Sequence, residues 1–137
     1  MFGFRASSGV TCNLIRWCFT PEARALFRDW RANITRDVGL FRADLAQGKP
    51  DPIARALVAQ LEQDSDDFRR IWQRHQVAGR HPGQKRLLHP TLGPLELAFF
   101  SAKLPDRPTL TAIFFSPADE PTARALTAVT PAAKRRK

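Results

Sequence analysis

The feature that most constrains this chain is a change of hydrophobic period near residues 79–83. Before it, apolar residues recur three and four apart, as on a helix with one buried face. After it they alternate, as on a strand with one buried face. Leu14, Trp17 and Cys18 stand at helical spacing ahead of Thr20-Pro21-Glu22. Thr20 suits an N-cap and Pro21 a first helical position, where its missing N–H costs nothing. Ala25, Leu26 and Trp30 share a face, as do Ile34, Val38, Phe41 and Leu45, which predicts a long or briefly broken helix to about Ala46, ended by Gly48-Lys49-Pro50. A further helix follows Asp51-Pro52, with Ile53, Leu57, Val58 and Leu61 on one side. Ser65 caps the next, with Asp66 and Asp67 at its positive end and Phe68, Ile71, Trp72 and His75 as its core face.

Residues 79–83 read as a loop, and three strands follow. Lys85–His89 is a short strand candidate, and Pro90–Gly93 makes a turn. Leu95, Leu97 and Phe99 alternate with Glu96, Ala98 and Phe100. Leu104–Pro108 is a second turn and Leu110–Ser116 the third strand, before a short helix opened by Asp119 and Pro121 and running through Ala128. Helices first and an antiparallel meander second predict α+β, not α/β.

A length of 137 residues suits one domain with a real core. The reading assigns residues 1–12 to a poorly ordered lead-in, 13–130 to the domain and 131–137 to a basic disordered tail. Ten Phe and three Trp exclude a disordered chain. Lys and Arg outnumber Asp and Glu 22 to 13, a net charge of +9. That favours contact with polyanions, yet much of the excess is Arg interleaved with Asp along helices, which also describes a solvated mixed face. Cys12 and Cys18 have no further ligands nearby, and reduced, partly buried thiols are expected. With no signal-peptide pattern and no apolar run long enough to span a membrane, the expected location is the cytoplasm.

Sites for chemistry are sparse. His75, His81 and His89 are irregularly spaced and no carboxylate completes a metal set, and His75 is expected to finish its helix face or to cap the C-terminal end. The Asp64–Asp67 cluster is explained by helix capping, and neither cysteine has the context of a thiol nucleophile. No enzyme activity and no cofactor are expected.

Three ordered blocks carry a resemblance. Asn13-Leu14-Ile15-Arg16-Trp17-Cys18-Phe19, with Pro21, Ala23-Arg24 and Phe27-Arg28-Asp29-Trp30, is the first. Phe68 through Val77 is the second, and Gly83 through Pro90 with Leu92 through Leu97 is the third. Together, over roughly 13 to 117, they resemble the MmyB-like transcription regulator ligand-binding domain. The resemblance implies a PAS-like fold behind an Xre-type helix-turn-helix head in a bacterial regulator. It also implies a pocket between helices and sheet for a small apolar, fatty-acid-like ligand that controls DNA binding by the head. In such domains a hairpin containing a Trp-Asn pair precedes the Asn-x-x-Arg block. Here twelve residues precede Asn13 and none resembles it. The expectation is therefore an N-terminally truncated domain whose sheet lacks its first hairpin and keeps three strands with an open edge.

On that reading the candidate ligand residues are Trp17, Phe27 and Trp30 from the helices, with Leu95, Leu97, Phe99 and Phe115 from the sheet. The same stripes would also serve as plain core, since spacing does not separate a lined cavity from a filled one. Two rival roles remain open. Lys134, Arg135, Arg136 and Lys137 could give a salt-sensitive attraction to nucleic acid. Alternatively the domain could dimerise or dock on an intact paralogue.

Overall fold

A computed structural model describes residues 13–48, 51–76, 78–79 and 81–129. The lead-in over 1–12 and the basic tail over 131–137 lie outside the described residues. The span read from sequence as one domain divides into two compact units, helical up to His81 and sheet-containing from Pro82.

The helical unit comprises α1 (Leu14–Cys18), α2 (Pro21–Leu26), α3 (Trp30–Gln47), α4 (Pro52–Asp64) and α5 (Asp66–Gln73). Four begin on a side-chain cap that accepts an otherwise orphaned backbone N–H: Asn13 from Arg16, Thr20 from Ala23, Asp51 from Ile53 and Ser65 from Phe68. Pro21 and Pro52 follow two of them at the first helical position. The expected long helix is broken at Phe27, whose backbone is extended, and resumes at Trp30.

Phe68, Ile34, Val38, Leu61, Ile71, Trp30 and Cys18 form the helical core, with Phe19, Phe27, Leu57, Val58 and Trp72 packed against it. Phe68 is fully buried. It stacks on Trp72 one turn later at 5.5 Å and takes the ring of Phe19 edge-on at 5.4 Å. Gly39 is buried where the segment after α5 crosses α3, and a Cβ there would stand 3.0 Å from the Ala78 nitrogen.

Two expectations fail at helix ends. Ile53, placed on the buried side of α4, is 81% exposed in the first turn, where no element among the described residues covers it. His75 is not a core residue: α5 stops at Gln73, and His75 is exposed with φ +54°. In that left-handed position it ends the helix as a glycine would, its N–H bonded to the Trp72 carbonyl and its Nδ1 2.6 Å from the Gln73 carbonyl.

The sheet unit runs β1 (Gly83–His89), β2 (Gly93–Leu104), β3 (Arg107–Pro117) and α6 (Glu120–Val129). Its strands are antiparallel in the order β1-β2-β3. All three are longer than their alternation suggests. Polar positions such as Ser101 and Lys103 extend β2 because Ile113 and Thr111 pair with them. Gly93 takes φ +75° as β2 begins, and the His89 ring accepts the Thr91 and Leu92 amides of the preceding turn. Leu87, Leu95, Leu97 and Phe99 are buried on one face.

Beyond the end of β3, Ala118 and α6 take over its pairing role. Ala118 donates its N–H to the Glu96 carbonyl, and the Glu96 N–H is received at 2.9 Å by the hydroxyl of Thr122, a buried residue. A side chain thus completes the ladder where the backbone has turned into a helix. The mixed fold, helices then a three-stranded meander then a short helix, is the α+β arrangement expected from sequence.

The two units give separable stability effects. Phe68→Ala should destabilise the helical unit by about 3–5 kcal/mol. Thr122→Val, which leaves the Glu96 amide unpaired, should cost the sheet unit about 1–3 kcal/mol, and Thr122→Ser, which keeps the accepting hydroxyl, should avoid most of that loss. Urea titrations followed by tryptophan emission for the first and far-ultraviolet circular dichroism for both would measure these changes.

Candidate ligand-binding site

The candidate residues fall into two clusters, one in each unit. In the helical unit the break at Phe27 sets Trp30 at the start of α3, where its indole N–H donates to the Cys18 carbonyl at 2.7 Å. That bond satisfies a carbonyl at the C-terminal end of α1. Phe19 meets the Trp30 ring edge-on at 6.0 Å, and the Arg24 guanidinium lies 3.9 Å above its centroid. Trp17 and Phe27 form a second edge-to-face pair at 6.1 Å. The gap bounded by Cys18, Phe27, Trp30, Asn33, Ile34 and Asp37 has no room for a water molecule. Among the described residues of this unit, then, the three aromatic candidates pack on their neighbours.

In the sheet unit, Leu95, Leu97, Phe99 and Phe115 share one face. Leu95 stands opposite Leu87, Leu97 opposite Lys85, and Phe99 between Gly83 on β1 and Phe115 on β3. The Phe99 and Phe115 rings are 5.9 Å apart. The Leu95, Leu97 and Phe99 side chains are buried, whereas Phe115 is 52% exposed. Lys85 shares this face and holds its ammonium 5.7 Å from the Phe99 ring centre. Sequence reading did not single out Lys85, although its parity with Leu87 was a usable signal. It is a cation beside an apolar surface, suited to the head of an amphiphile.

A second concavity was not expected from sequence. It is an open groove of about 670 Å³ along α3, lined by Arg31, Ala32, Thr35, Arg36, Gly39, Gln76 and Ala78. Its floor exists because Gly39 lets the 76–78 segment approach the helix.

The other chemical candidates are dispersed. His75 ends α5, His81 precedes β1 and His89 organises a turn, and among the described residues no group of His, Cys, Asp or Glu is placed to hold a metal ion. Cys18 is buried, and Cys12 and Lys134–Lys137 lie outside the described residues. Among the described residues no helix is long and apolar enough to cross a membrane.

Several arginines are held by local partners. Arg24 bonds Asp67 at 2.6 Å and Arg31 approaches the same carboxylate at 3.6 Å. Arg69 pairs with Asp66, and Arg124 with Glu120 one turn away. Arg42 lies 3.8 Å above the Trp72 ring and donates to the Trp72 carbonyl. Its Nε is buried without a hydrogen bond among the described residues.

The hydrogen bond from Arg24, reinforced by the charges of Arg24, Arg31 and Arg70, holds the Asp67 carboxyl below its ordinary value against a smaller opposing effect of burial. A depressed carboxylate contributes stability that is complete above the unfolded value, about 3.9, and is lost as pH falls through the folded one. Thermal melts of the helical unit should therefore lose stability as pH drops below about 4. In Asp67→Asn that part of the pH dependence should flatten.

The family comparison widens the expected span. The model of the MmyB-like transcription regulator ligand binding domain matches residues 1–129. The match thus includes the twelve residues that the sequence reading set aside as a lead-in, and it extends past residue 117 through α6. No curated protein and no solved structure matches the chain. With nearly the whole chain covered, from residue 1 through the end of α6, the protein belongs to the MmyB-like transcription regulator ligand-binding domain family.

Proposed function

We propose that this chain senses a small apolar, fatty-acid-like effector and thereby controls DNA binding by an Xre-type helix-turn-helix head lying outside these residues, in the cytoplasm of a bacterium. The family match over residues 1–129 carries this reading, because it identifies a regulatory ligand-binding domain of transcription regulators. The sheet supports it chemically. Leu95, Leu97, Phe99 and Phe115 make a continuous apolar face, and Lys85 supplies one cation on the same side. An acyl chain would lie against the apolar residues while its carboxylate pairs with the ammonium. The helical candidates Trp17, Phe27 and Trp30 enter this proposal as residues that shift when the effector binds.

The rival reading, direct binding of nucleic acid, draws on the net charge of +9. The structure weakens the charge argument, since Arg24, Arg31, Arg69 and Arg124 face acids within the chain and Arg42 lies on Trp72. The domain is proposed to bind DNA only through the attached head, and not to catalyse a reaction.

Native mass spectrometry of the purified chain should show a co-purifying apolar molecule or saturable uptake of a medium-chain fatty acid. Phe99→Ala should weaken uptake by about tenfold or more, by lost burial of the ring. Lys85→Met should weaken fatty acid and spare the matching alcohol. No uptake of any fatty acid, or equal loss of acid and alcohol with Lys85→Met, would count against this assignment.

A further inference from the structure

The open groove along α3 has walls and a floor of different chemistry, and the helical period sets both. At about 100° per residue, Ala32, Thr35 and Gly39 fall on one line along the helix, and Arg31 and Arg36 flank that line on opposite sides. Asp37, next to Arg36 in sequence, lies on the far side of α3 with Cys18 and Trp30. Among the described residues that line the groove, two are therefore arginines and none is an acid.

The charge of the first wall is only partly answered within the chain. Arg31 stands 3.6 Å from Asp67, but Arg24 takes that carboxylate at 2.6 Å and Arg70 acts on it as well. Three guanidinium groups thus share one carboxylate. Arg31 makes the longer of the two bridges, and its side chain is 63% exposed. A guanidinium carries several N–H donors, more than a shared carboxylate at that distance takes up. The wall therefore suits a further carboxylate brought by a partner.

The shape selects among anionic occupants. A volume of about 670 Å³ would hold a small molecule, but the groove is open along its length and cannot enclose one as a pocket does. From Arg31 to Gly39 the helix rises about 12 Å, the reach of about four residues of extended chain. An extended peptide sends successive side chains to opposite sides, so its carboxylates meet both walls. Its backbone meanwhile passes over Ala32, Gly39 and Ala78, whose side chains are too short to obstruct it. The Thr35 hydroxyl and the Gln76 amide add the acceptors and donors that a peptide backbone uses. A nucleic-acid strand would match the walls alone.

We propose that this groove docks an extended acidic peptide segment of a partner protein, its carboxylates paired with Arg31 and Arg36 and its backbone against Ala32, Thr35 and Gly39. The surface belongs to the helical unit alone and includes none of the sheet residues assigned to the effector. Its occupation is therefore a second binding event, testable whether or not a fatty acid binds.

Fluorescence anisotropy of the full chain with a fluorescein-labelled peptide tests this. The probe is a short alanine segment carrying two glutamates three positions apart, which an extended backbone turns to opposite sides. Saturable binding that weakens as salt rises is expected, and the same peptide with glutamines should not bind. Arg31→Gln and Arg36→Gln should each weaken binding by about tenfold. Ala32→Leu keeps every charge but fills the floor at an exposed position, with a residue that helices accept readily, and should abolish binding. Arg124→Gln removes a like charge on α6 and should leave binding unchanged. Unaltered urea midpoints show that the variants remain folded.

No binding by the wild-type chain would overturn the proposal. Full binding by folded Ala32→Leu, or equal weakening by Arg124→Gln, would reduce the attraction to net charge and overturn it equally. Tighter capture of a single-stranded oligonucleotide, lost through the same two arginines, would assign the groove to nucleic acid instead.

Discussion

The helical unit depends on the indole of Trp30. Its N–H answers a carbonyl at the end of α1, one edge receives Phe19, and its face receives the Arg24 guanidinium. Arg24 in turn bonds Asp67 in the first turn of α5. One side chain therefore ties α3 to three helices too short to stand alone in water, of five, six and eight residues. Neighbouring hydrogen bonds, ring contacts and the ion pair gain order from that placement, and the break at Phe27 is what sets Trp30 in it.

The sheet unit meets the same demand differently. A meander leaves backbone groups unpaired wherever one strand outlasts its neighbour, and β2 does so at Glu96. There Ala118, just past β3, supplies an amide, and Thr122 of α6 supplies a hydroxyl. The identity of a single buried threonine thus reflects a backbone requirement, and α6 is fixed to the sheet by polar geometry as well as by contact.

Much of this was legible in the sequence wherever the determining interaction is local. Thr20, Asp51 and Ser65 announce helix starts because a cap acts within three residues of itself. The alternation of Leu95, Leu97 and Phe99 gives their shared face because side-chain direction follows from the strand period alone. The failures lie where a distant partner decides. Ile53 fits a helical stripe, yet among the described residues no element covers its end of α4. His75 continues the spacing of α5, but the chain turns left-handed there to begin the crossing over Gly39. The reach of β2 through Lys103 is set by β3 and not by its own residues. Lys85 was missed for a different reason: a charged residue on an alternating strand is ordinarily assigned to solvent, and its parity with Leu87 carries the contrary signal.

The distribution of aromatic side chains has a spectroscopic consequence. All three tryptophans, Trp17, Trp30 and Trp72, belong to the helical unit, and the chain has no tyrosine. Tryptophan emission therefore reports on one unit only, whereas the sheet carries phenylalanines that contribute almost nothing at those wavelengths. The sheet is optically dark beside a bright neighbour. A tryptophan introduced at half-exposed Phe100 or Phe114 would light the second unit without entering the helical core. With that change, each unit of one short chain would carry its own emission signal.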